Sequence, residues 1–76
     1  MNERERLAFF EQQAEEAYSR MYDAYSASDA TARYSDAKEA LYSAIGVARG
    51  LADTEAVARL EARLAHIKAV FRSQFS

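Results

Sequence analysis

The most regular apolar pattern in the chain lies between Asp53 and Phe75, where Val57, Leu60, Leu64, Ile67 and Phe71 recur at alternating spacings of three and four residues. That spacing places all five on one stripe of an α-helix and fits no strand. Asp53 suits the N-cap, because a short carboxylate accepts from the orphan N–H groups of a first helical turn. Glu55 lies near the positive end of the helix dipole, and Lys68 and Arg72 lie towards its negative end.

Two further seams precede this one. Leu7, Phe10, Ala14, Ala17, Met21 and Ala24 repeat with the same alternation, opened by Asn2 and Glu5 as an N-x-x-E capping box. Their alanines allow close helix approach. The seam fades within YSASDATA, whose side chains favour caps and turns, so the first break is expected at about residues 26–31. Tyr34, Ala37, Leu41, Ala44, Ala48 and Leu51 then start one residue out of phase, which separates the second helix from the first. Gly50 suits the left-handed position past the end of that helix, with Leu51 making the apolar contact of a Schellman motif. The connection to Asp53 is short, which makes the second and third helices antiparallel neighbours. The expected fold is all-α: one domain over residues 1–76, an antiparallel three-helix bundle with helices at about 3–26, 31–49 and 54–74.

Within the second helix, YSDAKEALYSAIGVA is similar to the second helix of a tetratricopeptide repeat, with Tyr34, Ala37, Leu41 and Ala44 at the repeat's aromatic and small positions. The preceding helix departs from that pattern, since Tyr22 falls where the repeat has a small residue and the closing proline is absent. One repeat does not make a solenoid, and no functional residue is carried over.

Charge adds one packing expectation. Residues 1–26 hold six acidic and three basic side chains, and residues 53–76 hold three acidic and four basic, which favours contact between the first and third helices. The net charge of −2 speaks against a strongly basic nucleic-acid binder. No apolar run resembles a signal peptide or a membrane span, so a cytoplasmic protein without membrane contact is expected. With no cysteine and one histidine, neither a disulfide nor a structural zinc site is available. A core in a 76-residue chain rarely supplies more than about 3–5 kcal/mol without such a staple, which raises the expectation of self-association.

The candidate residues for chemistry lead away from catalysis. His66 falls on the outer face of the third helix, with no carboxylate in its own helix to orient it, and reads as a solvated side chain. Glu11 and Glu15 share a face, but two carboxylates fall short of a calcium ligand set and lack the Glu-x-x-His partners of a di-iron site. No nucleophile elbow or glycine-rich phosphate loop occurs. No enzymatic activity, cofactor or metal is expected. Arg59, Arg63, Lys68 and Arg72 form a basic outer surface on the third helix, and a regulatory nucleic-acid-binding domain is the alternative reading.

The aromatic residues are more telling. Phe9, Tyr18, Tyr22, Tyr25 and Tyr42 all lie off the seams. Tyr18 and Tyr25 flank the first seam and are expected to widen it into a core stripe. Phe9, Tyr22 and Tyr42 are harder to bury, and Gly46 on the same face as Tyr42 suggests close approach by another molecule. The expectation is a small protein–protein interaction module, a C2 homodimer, whose surface draws on Phe9, Tyr18, Tyr22, Tyr25, Tyr42 and Gly46.

Overall fold

A computed structural model describes residues 1–75. It contains α1 (Glu3–Tyr22), α2 (Ala27–Gly50) and α3 (Thr54–Gln74), and no strand among the described residues. The capping box forms as expected: Asn2 Oδ1 accepts from the Glu5 N–H at 2.8 Å, and Glu5 Oε1 accepts from the Asn2 N–H at 3.4 Å. Asp53 caps α3 by accepting from the Ala56 N–H at 3.0 Å.

The first break falls earlier than the sequence pattern suggests. α1 stops at Tyr22, and Ser26 caps α2 by accepting from the Asp29 N–H at 3.0 Å. Ser28 and Asp29, read as turn formers, therefore occupy the first turn of α2, and Thr31 follows in the second. Asp29 faces the positive end of the dipole and pairs with Arg33 at 3.7 Å. One capping serine outweighs the mild turn preference of the residues behind it.

The α2–α3 turn also differs from expectation. The hydrogen bonds Asp53 N–H to Ala48 O and Ala52 N–H to Arg49 O, both 3.0 Å, make a Schellman motif. Its left-handed residue is Ala52, with φ 56°, whereas Gly50 remains in the helix without a positive φ. The helix runs this far because Val47 and Ala48 are buried and Leu51 packs on the core. The left-handed slot consequently lands on a residue whose Cβ disfavours it by roughly 1–2 kcal/mol. Gly46 is also helical, and an added Cβ there meets nothing within 4 Å. Gly46→Ala is expected to stabilise the fold by about 0.5–1 kcal/mol. A thermal melt would show this as a rise of several degrees in midpoint, and an unchanged or lower midpoint would mean that space around Gly46 is needed.

Cross-helix pairs set the directions. Arg4–Asp53, Glu11–Arg59, Glu15–Arg63 and Tyr18–His66 ascend together, so α1 and α3 run in parallel. Arg49–Glu61, Tyr42–Lys68 and Tyr34–Phe71 run in opposite order, which makes α2 antiparallel to α3. α2 is the central element. α1 packs closely along it and α3 less closely, while α1 and α3 meet chiefly through long side chains. The resulting Cα envelope is flattened, at 38 × 23 × 13 Å.

The core follows the three seams. It holds Leu7, Met21, Leu41, Ile45, Val47, Leu60, Leu64 and Ile67, together with Ala14, Ala17, Ala30, Ala37, Ala44, Ala48 and Ala56. Ala30, Ile45 and Val47 lie beside the α2 seam and are buried as well, because α2 has a neighbour on each flank; Ala56, beside the α3 seam, is buried too. No buried polar side chain is left without a hydrogen bond among the described residues.

Candidate interaction surface

The α1–α3 seam is built from charges that the two helices present to each other. Arg59 donates to both oxygens of Glu11 (2.5 and 3.0 Å), and Arg63 donates to both oxygens of Glu15 (2.8 and 2.6 Å). These paired, charge-assisted bonds are the stronger kind of surface ion pair. They push the Arg59 and Arg63 guanidinium groups above their ordinary range, the hydrogen bond donated to the carboxylate being the main cause in each. The floor beneath them is apolar, made by Leu41 of α2 and Leu60 of α3.

This arrangement refines two readings. Glu11 and Glu15 face α3 and carry ion pairs while their side chains stay 28% and 50% exposed. Arg59 and Arg63 reach across to α1, with side chains still 57% and 36% exposed. The excess of acid on the first helix and base on the third foretold this contact, which wheel positions taken one helix at a time did not.

At one end of the bundle the seam gives way to rings. Tyr18 lies 5.3 Å from Tyr22 and 6.1 Å from His66, centroid to centroid, and Tyr22 lies 6.0 Å from Phe75. Phe75 packs 5.8 Å from Phe71, which stacks on Tyr34 at 4.0 Å with planes 3° apart. The string ties all three helices together. His66 is thus not simply solvated: its Nε2 is 3.3 Å from the Tyr18 hydroxyl. Burial pushes the Tyr18 phenol above its ordinary range, helped by its hydrogen bond to Tyr22. Arg63 stands 4.9 Å over the Tyr18 ring, joining the rings to the ion pairs. Phe71 and Phe75, and likewise Tyr18 and Tyr22, are four residues apart. That spacing signals a ring pair on one helix face, yet Phe75 had no assigned place in the sequence pattern.

The six residues singled out as an interaction surface fall in several places. Tyr18 and Tyr22 are together on the α1–α3 side. Tyr25 stands in the turn between α1 and α2 and is 91% exposed, so it does not widen the core; α1 ends three residues before it, and it has no helical face to join. Tyr42 is half exposed beside Lys68 of α3, at 5.7 Å. Phe9 and Gly46 border the opposite groove, between α1 and α2, with Phe10 and Ser43.

Asp53 holds the other end of the seam. It accepts from Arg4 at 2.6 Å while capping α3. The Arg4 hydrogen bond, then the Ala56 N–H, keep its carboxyl below the usual value. A depressed folded-state pKa gives stability that is fully present above the unfolded value, about 3.9, and is lost as pH falls through the lower folded value. Denaturant midpoints measured from pH 7 down to pH 2 should therefore drop in the acid range. Asp53→Asn, which can still cap, should flatten part of that drop; an identical pH profile would remove Asp53 as its source.

Among the described residues, no group of three acidic, histidine or cysteine side chains is placed to hold a metal ion, and no helix is long and apolar enough to cross a membrane. Compared with protein-family models, with curated proteins and with solved structures, the chain matches none of them.

Proposed function

We propose that this chain is a protein–protein interaction module that self-associates, with contact made by the faces that carry its exposed rings. One observation carries the reading: none of the nine aromatic rings is fully buried, whereas seven alanines fill nearly half of the core positions. Aromatic side chains offer the largest apolar payload per residue, so a fold that stood alone would gain most by burying them. Here the order is inverted. Phe9, Tyr22, Tyr25 and Tyr42 are 46%, 47%, 91% and 52% exposed. Tyrosine and phenylalanine exposed in this way suit a contact with a protein partner, where a ring supplies area at low entropic cost.

The accessible surface, 4705 Å², is close to the roughly 4,700 Å² that scaling gives for 8.5 kDa. The reading therefore rests on which atoms are exposed, not on how many. The nucleic-acid alternative loses support, because two of its four cations are engaged by Glu11 and Glu15.

Static light scattering across a dilution series tests the proposal. A mass of twice 8.5 kDa at high concentration, falling on dilution, is the expected result. A mass of 8.5 kDa at every concentration would overturn it.

A further inference from the structure

We propose that two copies of this chain associate by exchanging α3, so that the α3 of one copy docks on the α1–α2 pair of the other. The inference rests on the self-association proposed above and names the element that the two copies trade, α3, whose border with α1 and α2 carries the rings of Tyr18, Tyr22 and Tyr42.

The turn supplies the first ground. Only Leu51, Ala52 and Asp53 separate α2 from α3, and the middle residue is an alanine held at φ 56°. The glycine that would occupy that conformation freely, Gly50, stands two residues earlier in helical backbone. A short connection under strain favours exchange of the element it carries. Straightening the turn moves Ala52 from a disfavoured backbone region to the one alanine prefers above all others. It also replaces the Schellman bonds by ordinary helical ones, at the loss of the Asp53 cap. No proline stands in the way anywhere in the chain. α2 and α3 then form one helix over residues 27–74, about 70 Å long at 1.5 Å per residue.

The second ground is complementarity. α1 turns Glu11 and Glu15 towards α3, and α3 answers with Arg59 and Arg63. Neither face suits a copy of itself, so each α1 accepts an α3 and no second α1. Four of the five tyrosines also sit at the border with α3: Tyr18 at His66, Tyr22 at Phe75, Tyr34 at Phe71 and Tyr42 at Lys68. Every one of these contacts is reproduced when α3 comes from a partner. α3 follows the other two helices in the chain and packs less closely on α2 than α1 does, so α1 and α2 remain paired while it transfers.

Complementation separates exchange from any other mode of association. One chain carries Glu11→Arg and Glu15→Arg, the other Arg59→Glu and Arg63→Glu, so each alone sets like charges across its seam. An exchanged heterodimer restores opposite charges at both seams, whereas copies that keep their own α3 restore none. After joint heating and cooling, the mixture is expected to melt about 4–8 °C above the better of the two chains and to show a dimer's mass. A mixture that melts as its two components would overturn exchange, even if either chain alone is unfolded. In the unsubstituted chain, Ala52→Gly is expected to weaken the dimer about 25–900-fold, because each of the two closed turns is relieved by a factor of about 5–30. A dimer indifferent to Ala52→Gly would count against exchange while leaving self-association standing. The mass of the unsubstituted chain, read separately, decides self-association itself.

Discussion

Leu41→Ala is expected to leave a large fraction of the chain unfolded at 25 °C. Leu41 is 1% exposed, lies midway along the central helix and forms the floor of the α1–α3 seam with Leu60. Truncating a buried leucine costs about 2–5 kcal/mol, part from lost transfer energy and part from the cavity left behind. Relaxation has little to work with here, since the buried side chains in the middle of α1 are Ala14 and Ala17, which cannot lengthen into the space. The loss is comparable with the whole of the roughly 3–5 kcal/mol that a core this small supplies. Far-ultraviolet circular dichroism in a urea series would read it directly. Tyr42→Ala, one residue away but half exposed, is the control and is expected to cost about 1 kcal/mol or less. Equal, small effects at both positions would mean that the α2 face had been assigned the wrong way round.

The seams that mark Leu41 as central were legible because burial on a helix imposes a period, and period survives in sequence. Every seam residue from Leu7 to Phe71 is buried or partly buried. The caps at Asn2 and Asp53 were legible for a related reason: a first turn has few chemical solutions, and both residues supply one. Termini with several near-equal solutions were less so. Residues 25–32 offer serines, an aspartate and a threonine, any of which caps; the structure uses Ser26, and a helix begun there buries Ala30. At the other turn, local preference named Gly50 for the left-handed position. Tertiary packing of Leu51 overrode it and moved the strain to Ala52.

The seam chemistry was harder to read, because it depends on which flank of each helix meets which neighbour. His66 and Arg63 project from the outer flank of α3 when that helix is considered alone. Both acquire partners only because α1 lies parallel to α3 on the same side of α2. Glu11 and Glu15 change meaning for the same reason, from a solvated pair to the anions of two ion pairs. Tyr25 illustrates the opposite error: its place beside the first seam suggested burial, and the early end of α1 put it in solvent.

Phe71→Ala carries the second large expected effect, and it tests the ring string that the sequence pattern did not reveal. Phe71 is only partly buried, yet it stacks on Tyr34 of α2 at 4.0 Å and packs against Phe75 at 5.8 Å, joining the end of α3 to the start of α2. Removing a fully buried phenylalanine costs about 3–5 kcal/mol, so a partly exposed one should lose roughly 2–3 kcal/mol here. Phe71→Leu keeps most of the apolar volume and loses the stack, and should fall between Phe71→Ala and the unsubstituted chain. A double-mutant cycle with Tyr34→Ala isolates the ring contact, with an expected coupling of about 0.5–1.5 kcal/mol. Coupling near zero would mean that the rings merely lie side by side. A coupling of the expected size would make Tyr34–Phe71 the anchor of the α3 terminus. Because the contact forms equally whether α3 belongs to the same chain or to a second copy, Phe71→Ala should lower stability without changing the balance between closed and exchanged forms.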